Sequence, residues 1–145
     1  MFGNFLKSLL ANDPAPLPQD QAKIAMAALL VRVAKSDGEY DSQEQAQIDQ
    51  VLSQRYALDP AATAALRHDG ETLEQEAPDT VRFTRALKDA VPYDDRQAII
   101  QAMWSVALAD DQRDATEDAL IRMVSSLLGV SDVDSATARQ AAQSK

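Results

Sequence analysis

The apolar residues of this chain recur at helical spacing, and no stretch alternates apolar and polar residues as a half-buried strand would. From about Asp20 to Ser36, Ile24, Met26, Leu29, Leu30, Val31 and Val33 fall on two faces of a helix. Ile99, Ile100, Met103, Trp104 and Val106 repeat that arrangement from about Asp94 to Ala109. A helix that is apolar nearly all round is a buried one, so these two segments are expected to form the central pair of a bundle. Two amphipathic segments should cover them: Asp41 to Arg55, with Ile48, Val51 and Leu52, and Asp114 to Leu128, with Leu120, Ile121, Val124, Leu127 and Leu128.

Turn and cap residues divide the rest. Asp59-Pro60 reads as an N-cap followed by proline at the first helical position, opening a helix that runs to about His68 or beyond, its continuation left open by Gly70. Pro78 opens a further segment with Val81, Phe83, Leu87 and Val91 inward, and Pro92 forces a corner. Gly129 stands where a C-cap belongs, and Ser131 or Asp132 can start a last Ala-rich helix. Residues 1–12 form a short amphipathic helix with a stripe of Phe2, Phe5, Leu6, Leu9 and Leu10, and residues 13–19, with Pro14, Pro16 and Pro18, form an extended linker to a helical domain over 20–145. The expected fold is all-α: about seven helices in a single bundle, built from two duplicated helix-turn-helix hairpins plus connecting helices.

The duplication is explicit. Ala34, Asp37, Asp41 and Glu44 recur 73 residues later, without a gap, as Ala107, Asp110, Asp114 and Glu117. The flanks agree in the same register, Val33 with Val106, Ala46 with Ala119, Ile48 with Ile121 and Val51 with Val124. Each copy therefore places a polar, acidic turn between two helices.

Composition narrows the function. A net charge of −9 and the lack of any Lys/Arg cluster oppose binding to nucleic acid or to anionic lipid. The longest apolar run, Ile24 to Val31, falls well short of a transmembrane helix. Cysteine is absent and His68 is the single histidine, which excludes thiolate catalysis, disulfides and multi-histidine or cysteine-ligated metal sites. Residues 1–12 lack the features of a signal peptide; they suit docking on the bundle or on another copy, or a weak hold on a membrane surface.

Chemistry is best sought in the acidic turns. Asp41 with Glu44, and Asp114 with Glu117, have capping-box spacing, which accounts for these four as helix caps. Asp37 and Asp110 end the preceding helices, where the helix dipole disfavours negative charge. If both turns lie at one end of the bundle, Asp37, Asp41, Glu44, Asp110, Asp114 and Glu117 converge and call for a cation. An all-oxygen donor set selects Ca²⁺, Mg²⁺ or Mn²⁺. Arg113 offers a rival way of neutralising the second turn. The spacing is not that of an EF-hand, since Gly38 and Glu44 fall second and eighth from Asp37.

The stretch Ala34-Lys35-Ser36-Asp37-Gly38-Glu39-Tyr40, followed by Glu44, resembles the turn of the TerB-like family, which includes tellurite-resistance TerB proteins and the N-terminal domain of the DjlA co-chaperone. The similarity covers about Gln21 to Val130. It implies a helical bundle, an acidic cluster that binds divalent metal, and a role in stress or metal resistance at the inner face of the membrane. By position, the implied residues are Asp37, Glu44, Asp110 and Glu117; the second copy departs from the pattern with Asp111 and Arg113.

The expected function is thus a non-enzymatic, cytoplasmic module, peripheral to the inner membrane, that holds a divalent cation but no organic cofactor and engages a protein partner in a stress or tellurite/metal-resistance assembly. The alternative is a metal-independent interaction adaptor whose acids are helix caps; an enzyme using paired carboxylates ranks last. Trp104 is expected in the core, His68 has no nucleophile to serve, and the acidic run of Glu71, Glu74, Glu76 and Asp79 reads as a solvated face.

Overall fold

A computed structural model describes residues 19–36, 40–76, 84–85, 87–88, 91, 93–107 and 115–143, with side chains from residue 21 in the first segment and over 118–142 in the last. Among these described residues six helices follow one another: α1 Gln19–Lys35, α2 Ser42–Tyr56, α3 Pro60–Glu76, α4 Tyr93–Ala107, α5 Ala115–Leu127 and α6 Asp132–Gln143. Residues 84–85 and 87–88 are also helical, and no strand occurs among the described residues. The all-α bundle is as expected. The helix expected over residues 1–12 and all but the last residue of the linker expected over 13–19 lie outside the described residues, as do Pro78, Val81 and Phe83; Gln19 is not linker but the first residue of α1.

Local chemistry sets the helix ends. Asp41 in extended conformation caps α2, its carboxylate accepting from the Glu44 N–H at 3.0 Å. Asp59 caps α3 through the Ala62 N–H at 2.7 Å, and Ser131 caps α6 through the Asp134 N–H at 3.1 Å. Each such bond satisfies a backbone donor that the helix leaves open. Ala57 (φ 53°) and Gly129 (φ 74°) turn left-handed after α2 and α5, letting the Leu58 N–H reach the Ser53 carbonyl at 3.2 Å and the Val130 N–H reach that of Ser125 at 2.8 Å.

The repeating unit proves larger than the hairpin. α1 packs most extensively on α3, and α4 on α6, so the third helix of each copy is a full partner rather than a connector. Their starts are 72 residues apart, as are the paired residues Ser53 and Ser125, Thr63 and Ser135, and the caps Asp59 and Ser131. The register therefore slips by one residue after Val51 and Val124, which conceals the third helix from a comparison held at 73. The two units meet through α1 against α4, with α2 reaching α4 and α5 reaching α1 in reciprocal fashion.

The core follows from this arrangement. Ala25 to Val31 are all buried, as expected of a helix enclosed on every side, and Ile99, Ile100, Met103, Trp104 and Val106 match them on α4. Ile48, Leu52, Ile121, Val124 and Leu128 close the sides, and Leu87 and Val91 are buried as their pattern predicted. Each fully buried Leu or Ile contributes about 1.5–3 kcal/mol relative to exposure.

Gly70, which left the continuation of α3 past His68 open in the sequence, does not interrupt the helix. It lies where α3 crosses α1, and a Cβ built there would stand 2.5 Å from the Ala27 Cβ and 2.9 Å from its carbonyl carbon. The helix continues to Glu76 because the backbone approach compensates for a weak helix former.

Candidate functional site

The first acidic turn leaves the end of α1 and enters α2. Of its residues, Asp41 is exposed and bonded to the Glu44 N–H, while Glu44 is half-buried in the first turn of α2. Asp37 lies outside the described residues. In the second copy, Asp110, Asp114 and Arg113 lie outside them as well, and so does the side chain of Glu117. Among the described residues no group of three or more His, Asp or Glu side chains stands ready to hold a metal ion.

Beside the first turn, the structure assembles a charge network that the sequence reading did not foresee. Glu74 of α3 receives Arg32 at 3.2 Å and Lys35 at 2.8 Å, both from the last turn of α1, and its backbone carbonyl accepts a further bond from Arg32 at 3.0 Å. Arg67 bridges Asp49 of α2 at 2.7 Å and Glu71 of α3 at 3.0 Å. The Tyr40 hydroxyl donates to Glu71 at 2.5 Å, and the Lys35 ammonium sits 5.6 Å from the centre of the Tyr40 ring. The network ties the exit of α1 and the entry of α2 to one end of α3.

Glu71 and Glu74 are thereby corrected: they are not a solvated face but largely covered side chains, 19% and 14% exposed, drawn in by cationic partners. Glu76 is exposed as expected, and Asp79 lies outside the described residues. The usable signal was the i,i+4 pair Arg67–Glu71; the partners Arg32 and Lys35 are some 40 residues away in sequence, and only the α1–α3 packing joins them. Burial, and then the bond to Glu71, push the Tyr40 pKa well above its usual value, which keeps the hydroxyl a donor. His68 is 77% exposed and 3.6 Å from Glu71, a surface neighbour with no nucleophile beside it among the described residues.

The direction of the central helices bears on the second turn. Tyr56, at the end of α2, touches Met26 through its hydroxyl at 3.4 Å and carries Lys23 at 5.1 Å from its ring centre, so the start of α1 surrounds it. Burial raises the Tyr56 pKa, Arg55 works against the rise, and Asp95 from the start of α4 adds to it. Both central helices thus begin near Tyr56, touch one another and run in the same sense. Lys35 and Ala107, from which the two acidic segments continue in sequence, end them at the side away from Tyr56.

Fold and site together define an internally duplicated module, helical throughout its regular elements among the described residues, in which an acidic segment follows the central helix of each repeat in sequence. A family model described as Tellurite resistance protein TerB matches residues 23–140. The chain belongs to the TerB family. No curated protein and no solved structure matches it.

Proposed function

We propose that this chain is a non-enzymatic TerB module that binds a divalent cation, Ca²⁺, Mg²⁺ or Mn²⁺, through Asp37, Asp41, Glu44, Asp110, Asp114 and Glu117. It acts with a protein partner in a stress or tellurite/metal-resistance assembly in the cytoplasm, at the inner face of the membrane. The observation that carries the reading is the common sense of α1 and α4, which sends both acidic segments out from the same side of the bundle. Two further points support it. The donors are hard oxygens, which suit these ions. The basic side chains beside the first turn, Arg32, Lys35 and Arg67, are already engaged by Glu74, Asp49 and Glu71.

One observation favours the second reading, the metal-independent adaptor: an Asp41 oxygen is committed to its cap. Thermal unfolding of the metal-stripped protein separates the two. A cation at about 100 times its dissociation constant adds about 2.7 kcal/mol, a rise in midpoint of roughly 5–10 °C for a domain of this size. Ca²⁺, Mg²⁺ or Mn²⁺ is expected to produce that rise in the wild type and in neither Asp37→Ala nor Asp110→Ala. Midpoints indifferent to every ion would leave the adaptor.

A further inference from the structure

The 73-residue register sets Ala98, Gln101 and Ala102 of α4 at the positions of Ala25, Ala28 and Leu29 of α1. On α1 all three are buried. On α4 the corresponding face is open: a groove of about 670 Å³ runs between α2, α4 and the end of α6, with Val51, Ala98, Ala102 and Ala142 as its apolar lining. Ala98 and Gln101 are only half-buried there. The polar part of the groove is neutral, with Gln47 and Gln54 of α2 facing Gln101 of α4. Although the chain carries 23 acids, none lines the groove among the described residues.

Small side chains make holes for large ones. Ala98 and Ala102 stand one turn apart on α4, so a helix laid along the groove can set bulky apolar side chains between them and α2. The sequence supplies such a segment in residues 1–12, where Phe2, Phe5, Leu6, Leu9 and Leu10 recur at helical spacing and no acid occurs. As a helix, the stripe from Phe2 to Leu10 spans about 12 Å, and the groove wall from Gln47 to Arg55 spans the same. The tether also reaches. α1 begins at Gln19, just ahead of Lys23, whose ammonium lies over the Tyr56 ring; the guanidinium of Arg55, at the end of the groove, lies over that ring too, 5.7 Å from its centre. Residues 13–18, with proline at every second position from Pro14, extend about 19 Å, enough to turn a helix of residues 1–12 back along the groove from this end.

We infer that residues 1–12 of the same chain dock as an amphipathic helix in the groove between α2, α4 and α6, with their Phe and Leu side chains on Val51, Ala98, Ala102 and Ala142. The segment covers for the second repeat the face that is already buried in the first. Nothing in this docking depends on a cation at the acidic segments.

The chain has no cysteine, so Asn4→Cys gives a single attachment point for a nitroxide. The experiment records broadening of backbone amide resonances in the full chain, before and after chemical reduction of the label. Amides of residues 47–55 and 98–105 should lose most of their intensity and recover it on reduction. Adding Phe5→Asp and Leu9→Asp, which put charge into the stripe, should restore most of that intensity without reduction, while the dispersed core resonances stay in place. In a mixture of isotope-labelled chain without nitroxide and unlabelled chain with it, the groove amides should stay sharp. The inference is overturned if the groove amides keep their intensity beside the label. It is overturned equally if the aspartate variant broadens them as much, since tethering alone would then account for the effect. Broadening in the mixture as strong as within one chain would seat a second copy in the groove and overturn it as well. Collapse of the core resonances in the aspartate variant would make residues 1–12 part of the folding core rather than a docked helix, and also overturn it.

Discussion

At the scale of single residues, the positions that decide this fold are those where propensity and packing disagree. Gly70 is the clearest: in an isolated helix Gly70→Ala would gain about 1 kcal/mol. Here the new Cβ would stand 2.5 Å from that of Ala27, with the α1 backbone behind it, so the helices must separate. Overpacking of this kind costs about 1–3 kcal/mol, and the collision with backbone places this case toward the upper end. Gly70→Ala is therefore expected to lower stability by about 1–2 kcal/mol net, measured by urea unfolding; a more stable variant would mean that α1 and α3 are not in close contact. Glu71 and Glu74 teach the same lesson with charge. Their local sequence reads as a solvated acidic run, and only the cations brought by α1 and α3 turn them inward.

At the scale of elements, most of the architecture was legible. The doubly apolar stretches became α1 and α4, the amphipathic ones became α2 and α5, and the Asp41 and Asp59 caps formed as their spacing predicted. These features are local, set by periodicity and by a side chain meeting a backbone donor three residues away. What was not legible depended on pairing. Both third helices were expected, but their membership of the repeat was concealed by a single-residue slip and by substitutions such as Leu66 where Ala138 stands. Ala57 is likewise a left-handed cap without glycine and gave no sequence signal, whereas Gly129 did. The cap at Asp41 yields a prediction at this scale: in metal-free buffer, Asp41→Ala should cost about 1 kcal/mol, the usual value of an N-cap, read as a lowered urea midpoint with an unchanged slope. Asp41→Asn, which preserves the acceptor, should cost only a few tenths. Equal losses for the two substitutions would show that charge rather than capping holds Asp41 in place.

At the scale of the whole molecule, two three-helix repeats pack through α1 and α4, and the surfaces beside their duplicated acidic segments have diverged. Around the first turn, basic and acidic side chains of α1, α2 and α3 neutralise one another. In the second repeat Arg122 and Gln143 stand at the positions of Asp49 and Glu71, and Arg139, at the position of Arg67, lies over the Trp104 ring instead. Duplication thus supplied two copies of one scaffold. The acidic turns were retained in both, and the surfaces beside them were free to change. The sequence made the recurrence of the acids plain, yet no pattern along the chain could say that α1 and α4 run in the same sense, because that is a property of the packed pair. The proposed binding of a cation between the two acidic segments rests on that common direction.

The most direct test is paramagnetic broadening of backbone amide resonances by Mn²⁺ added well below one equivalent. A cation shared by the two turns must lie within reach of both, so the account predicts that amides of residues 34–46 and 107–119 broaden together, and that Ca²⁺ or Mg²⁺ in excess restores them. Broadening of one turn alone, or of acidic residues scattered over the surface, would contradict it.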